Sequence, residues 1–243
     1  ILTFKDYNKV KNTNLSEIKP LIDNFKIKNE KFQESKYKAN FEINFNKKKL
    51  FKFLEKKSLF ISVPLKLNVV ILPIIIDNGN LKIFNKNLIY LNWPENDKNK
   101  YLLNYILPLE DIEDFDNLIN KTNNIENFDM IKFAHKYNSK NFILSLIYKD
   151  NNKLNVFSKI KFKKNFKNSN IIIDNVNLKD SFLIHSYIEK LKIHYEDIWK
   201  KQNQINTSIK LSLEIILNSN NFNEIKNFED VLNDISLINS FSI

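Results

Sequence analysis

The chain has 243 residues, 43% hydrophobic and 27% charged, which is enough apolar material for a sizeable buried core, and it carries a formal charge of +10. It has no cysteine and a single glycine, Gly79. That excludes disulfides, thiol nucleophiles and cysteine-ligated zinc, and it leaves no glycine-rich loop for a P-loop, a dinucleotide fingerprint or a nucleophile elbow.

In chain order, Leu15, Ile18, Leu21 and Ile22 fall at helical spacing and predict a short helix over 16–24, with Pro20 in its first turn. Phe25 and Ile27, then Tyr37, Ala39, Phe41, Ile43 and Phe45, alternate with polar residues and predict an antiparallel pair with one buried face. Asn46 caps a predicted helix over 47–57 that buries Leu50, Phe51, Phe53 and Leu54. The longest apolar run, Val69 to Ile76, is rich in β-branched residues and ends at an Asp77-Asn78-Gly79-Asn80 turn signal. It predicts a central strand covered on both faces, and it is too short to cross a bilayer.

A long connection over 78–98 follows, containing Asn92-Trp93-Pro94, then predicted helices over 97–106, 110–119 and 126–137. Strands are expected over 141–148, 154–162 and 170–178 as a meander. The clearest helix spans about 179–201, where Ile184, Ile188, Leu191, Tyr195 and Ile198 form a narrow apolar seam read as packing on the chain's own sheet. Strand, helix and strand are then expected over 208–217, 222–234 and 237–243. The fold class is α/β tending to α+β, a mixed sheet with helices on its faces. Its expected divisions are an N-terminal hairpin and helix unit (1–65), a central α/β domain (66–202) and a partial C-terminal βαβ unit (203–243).

All 38 basic residues are Lys, and lysine lacks the planar fork with which arginine reads guanine edges and clamps phosphate. The basicity is therefore read as the drift of an AT-rich genome toward Lys, Asn, Ile and Phe, and nucleic acid is a disfavoured partner. The carboxylates Glu110, Asp111, Glu113, Asp114 and Asp116 are the most enzyme-like cluster, yet they occupy the first turns of a predicted helix, where negative charge opposes the macrodipole. His185 and His194, nine residues apart on one helix, point to opposite faces and cannot chelate one metal; His135 suits a helix C-terminus. No catalytic residue, metal site or cofactor is assigned, and the reading leans away from an enzyme toward an interaction module; the alternatives are a hydrolase or metal-dependent enzyme using the 110–116 carboxylates, and lysine-mediated binding of nucleic acid or another polyanion. The candidate binding residues are Asn92 and Trp93 in the long loop, where Trp93 equally fits a hydrophobic plug closing the loop over the sheet, Asp111 and Asp114 in the acidic cluster, and Lys161 and Lys163. Lys159, Lys161 and Lys163 are expected on one face of a strand, facing an anionic partner or guarding a sheet edge.

The order of these features carries a resemblance. The segment 25–30, Tyr37-Lys38-Ala39 and Phe45, Val70-Ile71-Leu72-Pro73, Asn92-Trp93, Pro108-Leu109-Glu110-Asp111, the helix end at 134–137 and Trp199-Lys200 together resemble the proteobacterial domain-of-unknown-function family 2066 across nearly the whole chain. Glycines and arginines expected of that family appear here as Asn and Lys. The resemblance implies an exported, periplasmic protein; the expected partner is an envelope protein, or an anionic surface met by the lysines, and the oligomeric state is left open. The chain opens on Ile1 rather than Met, and the resemblance implies a signal peptide upstream of it.

Overall fold

The computed structural model describes residues 2–33, 35–93, 101–119, 122–206, 209, 211–235, 238 and 240–242. The chain divides into two compact units, Ile1–Val63 with Lys200–Ile243, and Pro64–Trp199.

In the first unit, the Thr3 hydroxyl accepts from the Asp6 N–H and caps helix α1 (Phe4–Val10). Helix α2 (Leu15–Ile18) passes into a 3-10 turn at Lys19–Leu21, and strand β1 (Ile22–Gln33) begins at once. The helix expected over 16–24 is thus cut short, because Pro20 opens the tighter turn and the β-prone residues after it pair with strand β2 (Lys36–Phe45). Asn46 caps helix α3 (Lys47–Lys56) by accepting from the Lys49 N–H at 2.9 Å. Leu54, Leu59 and Ile61 form a small core with the partly buried Leu2, Leu50, Phe51 and Phe53, and strand β3 (Ile61–Ser62) closes this part of the unit.

The second unit is built on β4 (Leu67–Asp77). It is followed by β5 (Asn80–Lys82), α4 (Leu88–Leu91), β6 (Leu103–Ile106), α5 (Ile112–Ile119), α6 (Met130–His135), β7 (Phe142–Asp150), β8 (Lys153–Phe162), β9 (Asn165–Ile173) and α7 (Ser181–Gln202). Six strands form one mixed sheet in the order β5-β4-β7-β8-β9, with β6 beside the first half of β4. β6 and β7 run parallel to β4, while the β5, β8 and β9 pairings are antiparallel. Helices flank the sheet, as an α/β fold requires. Val69, Ile71 and Ile75 pack with Ile184, Ile188, Leu191 and Tyr195 of α7, while Val70, Leu72 and Ile74 pack with Leu118 of α5 and Met130 and Phe133 of α6. Alternate residues of β4 thus enter two cores, which is why its run is apolar without interruption. Each such side chain contributes about 1.5–3 kcal/mol through burial.

Pro73 lies inside this central strand, where a missing N–H would ordinarily break the ladder. Between the stretches of β4 paired to β6 and to β5, one edge has no strand, and there the Pro73 carbonyl accepts from Asn87 Nδ2 at 2.8 Å. Proline's N–H side therefore faces a side chain, and no ladder bond is lost.

Several expectations are corrected. The helix expected over 97–106 lies partly outside the described residues, and its end is strand β6, because the apolar residues there pair with β4. The third meander strand starts at Asn165 rather than 170, because Lys163 takes a positive φ of 56° and turns the chain in two residues. After strand β10 (Gln204–Ile205), which pairs with β3, residues 211–217 form no strand; nothing among the described residues pairs with them. Helix α8 (Phe222–Asp234) follows, capped by Asn221. Of the strand expected over 237–243, residues 238 and 240–242 are in no strand, and the others lie outside the described residues.

Candidate functional site

The β1–β2 ribbon is the most unusual surface of the molecule. Its register sets Phe25 opposite Ile43, Ile27 opposite Phe41 and Phe32 opposite Tyr37. A register shift between Lys28 and Lys31, with Asn29 at a positive φ of 53°, is the irregularity that keeps Phe32 on the side of Phe25 and Ile27. Ala39 and Phe45 complete that side, which is apolar except near the turn, where the Tyr37 hydroxyl donates to Glu30 Oε2 at 2.6 Å. The opposite face is wholly polar: Lys26, Lys28, Lys31, Lys36 and Lys38 stand there with a single acid, Glu42. Lys28 pairs with Glu42 across the strands, and Asn44 Nδ2 donates to Asn24 Oδ1 at 2.7 Å.

The alternation was expected to bury the apolar face. It does not: Phe25, Phe32 and Phe41 are 60%, 77% and 59% exposed, and no residue of that face joins the small core of the unit. Alternation records that a strand has an apolar side, and it cannot record whether anything in the same chain covers it.

The residues singled out from the sequence are dispersed over the second unit. Trp93 is buried, edge-on to Tyr105 at 5.4 Å between ring centroids, in the core beneath α7. Asn92 beside it is half-buried and donates to the Leu88 carbonyl at 2.8 Å, closing α4; Pro94 lies outside the described residues. Asp111 is exposed and accepts from the Glu113 N–H at 2.8 Å, supporting the start of α5. Asp114 is buried against the other face of the sheet and accepts from Lys136 Nζ at 2.5 Å. These carboxylates therefore share no cleft with Trp93. Among the described residues, no group of three His, Asp or Glu side chains could hold a metal ion.

The lysines also separate. β8 lies inside the sheet, between β7 and β9, so Lys159 and Lys161 guard no edge. Lys161 lies over the Phe166 ring at 5.2 Å, whereas the turn swings Lys163 over the Trp199 ring of α7 at 5.1 Å, away from its expected neighbours. Beside Lys159, a shallow pocket of about 310 Å³ is lined by Phe128, Met130, Phe142 and Phe166, but the Lys159 ammonium is committed to the Glu126 carbonyl at 2.6 Å.

The hydrogen bond and charge of Asp114 raise the pKa of Lys136 above the usual lysine range, against the opposing effect of desolvation. A raised value means that the stabilisation from this pair is complete below the unfolded-state pKa, about 10.4, and is lost as pH rises through the folded-state value. Asp114→Asn is therefore expected to lower stability by a constant amount through neutral pH, and the gap to the wild type should close at strongly alkaline pH. Denaturant unfolding of both proteins across that range checks it; a gap that does not change with pH contradicts it.

Sequence reading missed a buried cluster on α7. Lys192 and Glu196 sit within its apolar seam, and the rings of Trp93, Tyr101 and Tyr105 surround the Lys192 ammonium at 5.4–5.8 Å. Glu196 Oε1 accepts from the Leu103 N–H at 2.6 Å, and Glu189 accepts from the Tyr101 hydroxyl at 2.5 Å. Burial, with the nearby charge of Glu196, pushes the Tyr105 phenol well above its ordinary range. An oppositely charged pair four residues apart inside a helix seam is the signal that could have located it.

No helix among the described residues is long and apolar enough to cross a membrane. No family model matches the chain, and neither does any curated protein or solved structure.

Proposed function

We propose that the protein is a non-enzymatic binding module of the cell envelope, and that the apolar side of the β1–β2 ribbon is its docking face. The observation that carries this reading is the uncovered apolar face itself, backed by a lysine-rich polar face. A two-stranded ribbon is marginal in water unless a third strand, a helix or a partner covers its apolar side, and exposed apolar patches of several hundred Å² mark interaction surfaces. The ionisable groups of the second unit serve the fold: Asp111 supports a helix start, Asp114 pairs with Lys136, and Glu196 holds a backbone N–H. The envelope assignment rests on the resemblance described above.

Photo-cross-linking tests the docking face. Benzoylphenylalanine incorporated in place of Phe41 or Phe25 is expected to give covalent adducts in cells, while the same group in place of Asn44 or Lys26, on the polar side, is expected to give none. Equal yields from the two faces, or no adduct from either, would count against the reading.

A further inference from the structure

Resting on that reading of the ribbon as a docking face, we infer that its partner is a second copy of this chain: two ribbons packed apolar face to apolar face about a twofold axis, as a four-stranded sandwich. The first argument is area. Large apolar side chains offer about 150–250 Å² each, and the observed exposures leave roughly 700 Å² of apolar surface open on this face. A stable interface buries about 800 Å² per partner, so a second ribbon of the same size supplies what is missing. The pairing is isologous, the commonest symmetry of soluble oligomers.

Charge placement supports the same occupant. All five lysines of the ribbon and Glu42 lie on the polar side, where Lys28 and Glu42 already pair. In a face-to-face sandwich that side turns outward, and the sheets meet about 10 Å apart with the lysines outside the contact and the Glu30 carboxylate, held by the Tyr37 hydroxyl, at its end. The two basic faces are then separated by the sandwich and screened beyond about 8–10 Å. An anionic bilayer fits less well, because the lysines would point away from the lipid that the apolar side chains enter.

The unit's own structure leaves the site open. Its small core is built from α3 and the segments around Leu59 and Ile205, without any residue of the ribbon's apolar face. The two strands of the ribbon are paired apart from register shifts at Ile22/Asn24 and Lys28/Lys31, so what it lacks is a cover rather than a fold.

Sedimentation equilibrium of the full chain is expected to give twice the monomer mass. Phe41→Asp places a carboxylate at the centre of the contact and is expected to weaken association at least about 30-fold. Lys38→Asp, on the outward face, is expected to leave the dimer intact. A wild-type chain that is monomeric throughout, or a dimer indifferent to Phe41→Asp, overturns the inference. Should Phe41→Asp fail to fold, the benzoylphenylalanine adduct at position 41 decides: a product of two identical chains supports the inference. An adduct only with another protein, or monomeric protein bound to phosphatidylglycerol vesicles, overturns it while leaving the docking face standing. No adduct at all removes both.

Discussion

Asn87→Ala is expected to destabilise the protein by about 3 kcal/mol, a large effect for a residue that belongs to no hydrophobic core. Asn87 is completely buried and works in two directions. Its Nδ2 donates to the Pro73 carbonyl at 2.8 Å, and its Oδ1 accepts from the Ile89 and Tyr90 N–H groups at 2.9 and 3.1 Å, capping α4. Truncation leaves the Pro73 carbonyl buried without its partner, at about 1–3 kcal/mol, and removes a helix cap worth about 1 kcal/mol. The side chain thus substitutes for a strand at the one place where the central strand has none on that edge. Urea unfolding measures the loss. Asn92→Ala, at the other end of the same helix, serves as the control and should stay within about 0.5 kcal/mol of the wild type. A loss below about 1 kcal/mol for Asn87→Ala would mean that water bridges the gap instead.

How much of this was legible in the sequence depended on whether a feature is set locally. β4 was readable because Val69 to Ile76 can satisfy only one environment, covered on both faces, and α7 because its seam repeats over several turns. The turns at Asn78 and Asn151 were readable because Asn takes a positive φ more easily than other non-glycine residues; Asn29, Asn138 and Asn175 do the same, and Asn175 lies inside the strand expected over 170–178. Lys163 takes the same conformation without any such signal, so the start of β9 was misplaced. β6 was read as helix because its apolar residues, taken alone, fit either period, and only pairing with β4 decides between them.

The candidate site was legible in pieces and misread as a whole. The ribbon's two strands and their apolar side were in the pattern, but coverage is a property of what lies opposite, and no pattern within 22–45 specifies that. Trp93 admits two readings from the sequence, a partner contact or a plug closing the long loop over the sheet, and its burial against Tyr105 and the Lys192 ammonium matches the second. The carboxylates at 110–116 were read as helix-start residues, and Asp111 serves that role, while Asp114 found a long-range partner in Lys136 that spacing could not indicate.

Lys192→Met should have the largest effect, about 3–5 kcal/mol, although it preserves most of the side chain's length and apolar stem. Lys192 and Glu196 are 1% and 4% exposed and stand one helical turn apart. Removing the cation leaves the Glu196 carboxylate buried without its neighbouring positive charge, the situation in which breaking a buried pair costs most. The lost attraction between the ammonium and the faces of Trp93, Tyr101 and Tyr105 adds to it. The compensating change follows from the geometry: Glu196→Gln removes the charge but keeps an amide oxygen to accept from the Leu103 N–H. The double variant Lys192→Met with Glu196→Gln should therefore recover most of the stability lost in Lys192→Met alone, giving a coupling energy above about 1 kcal/mol in a double-mutant cycle. Additive losses would mean that Lys192 compensates something other than Glu196. Recovery, in contrast, would establish that the Lys192 ammonium offsets the Glu196 carboxylate where α7 packs on β6.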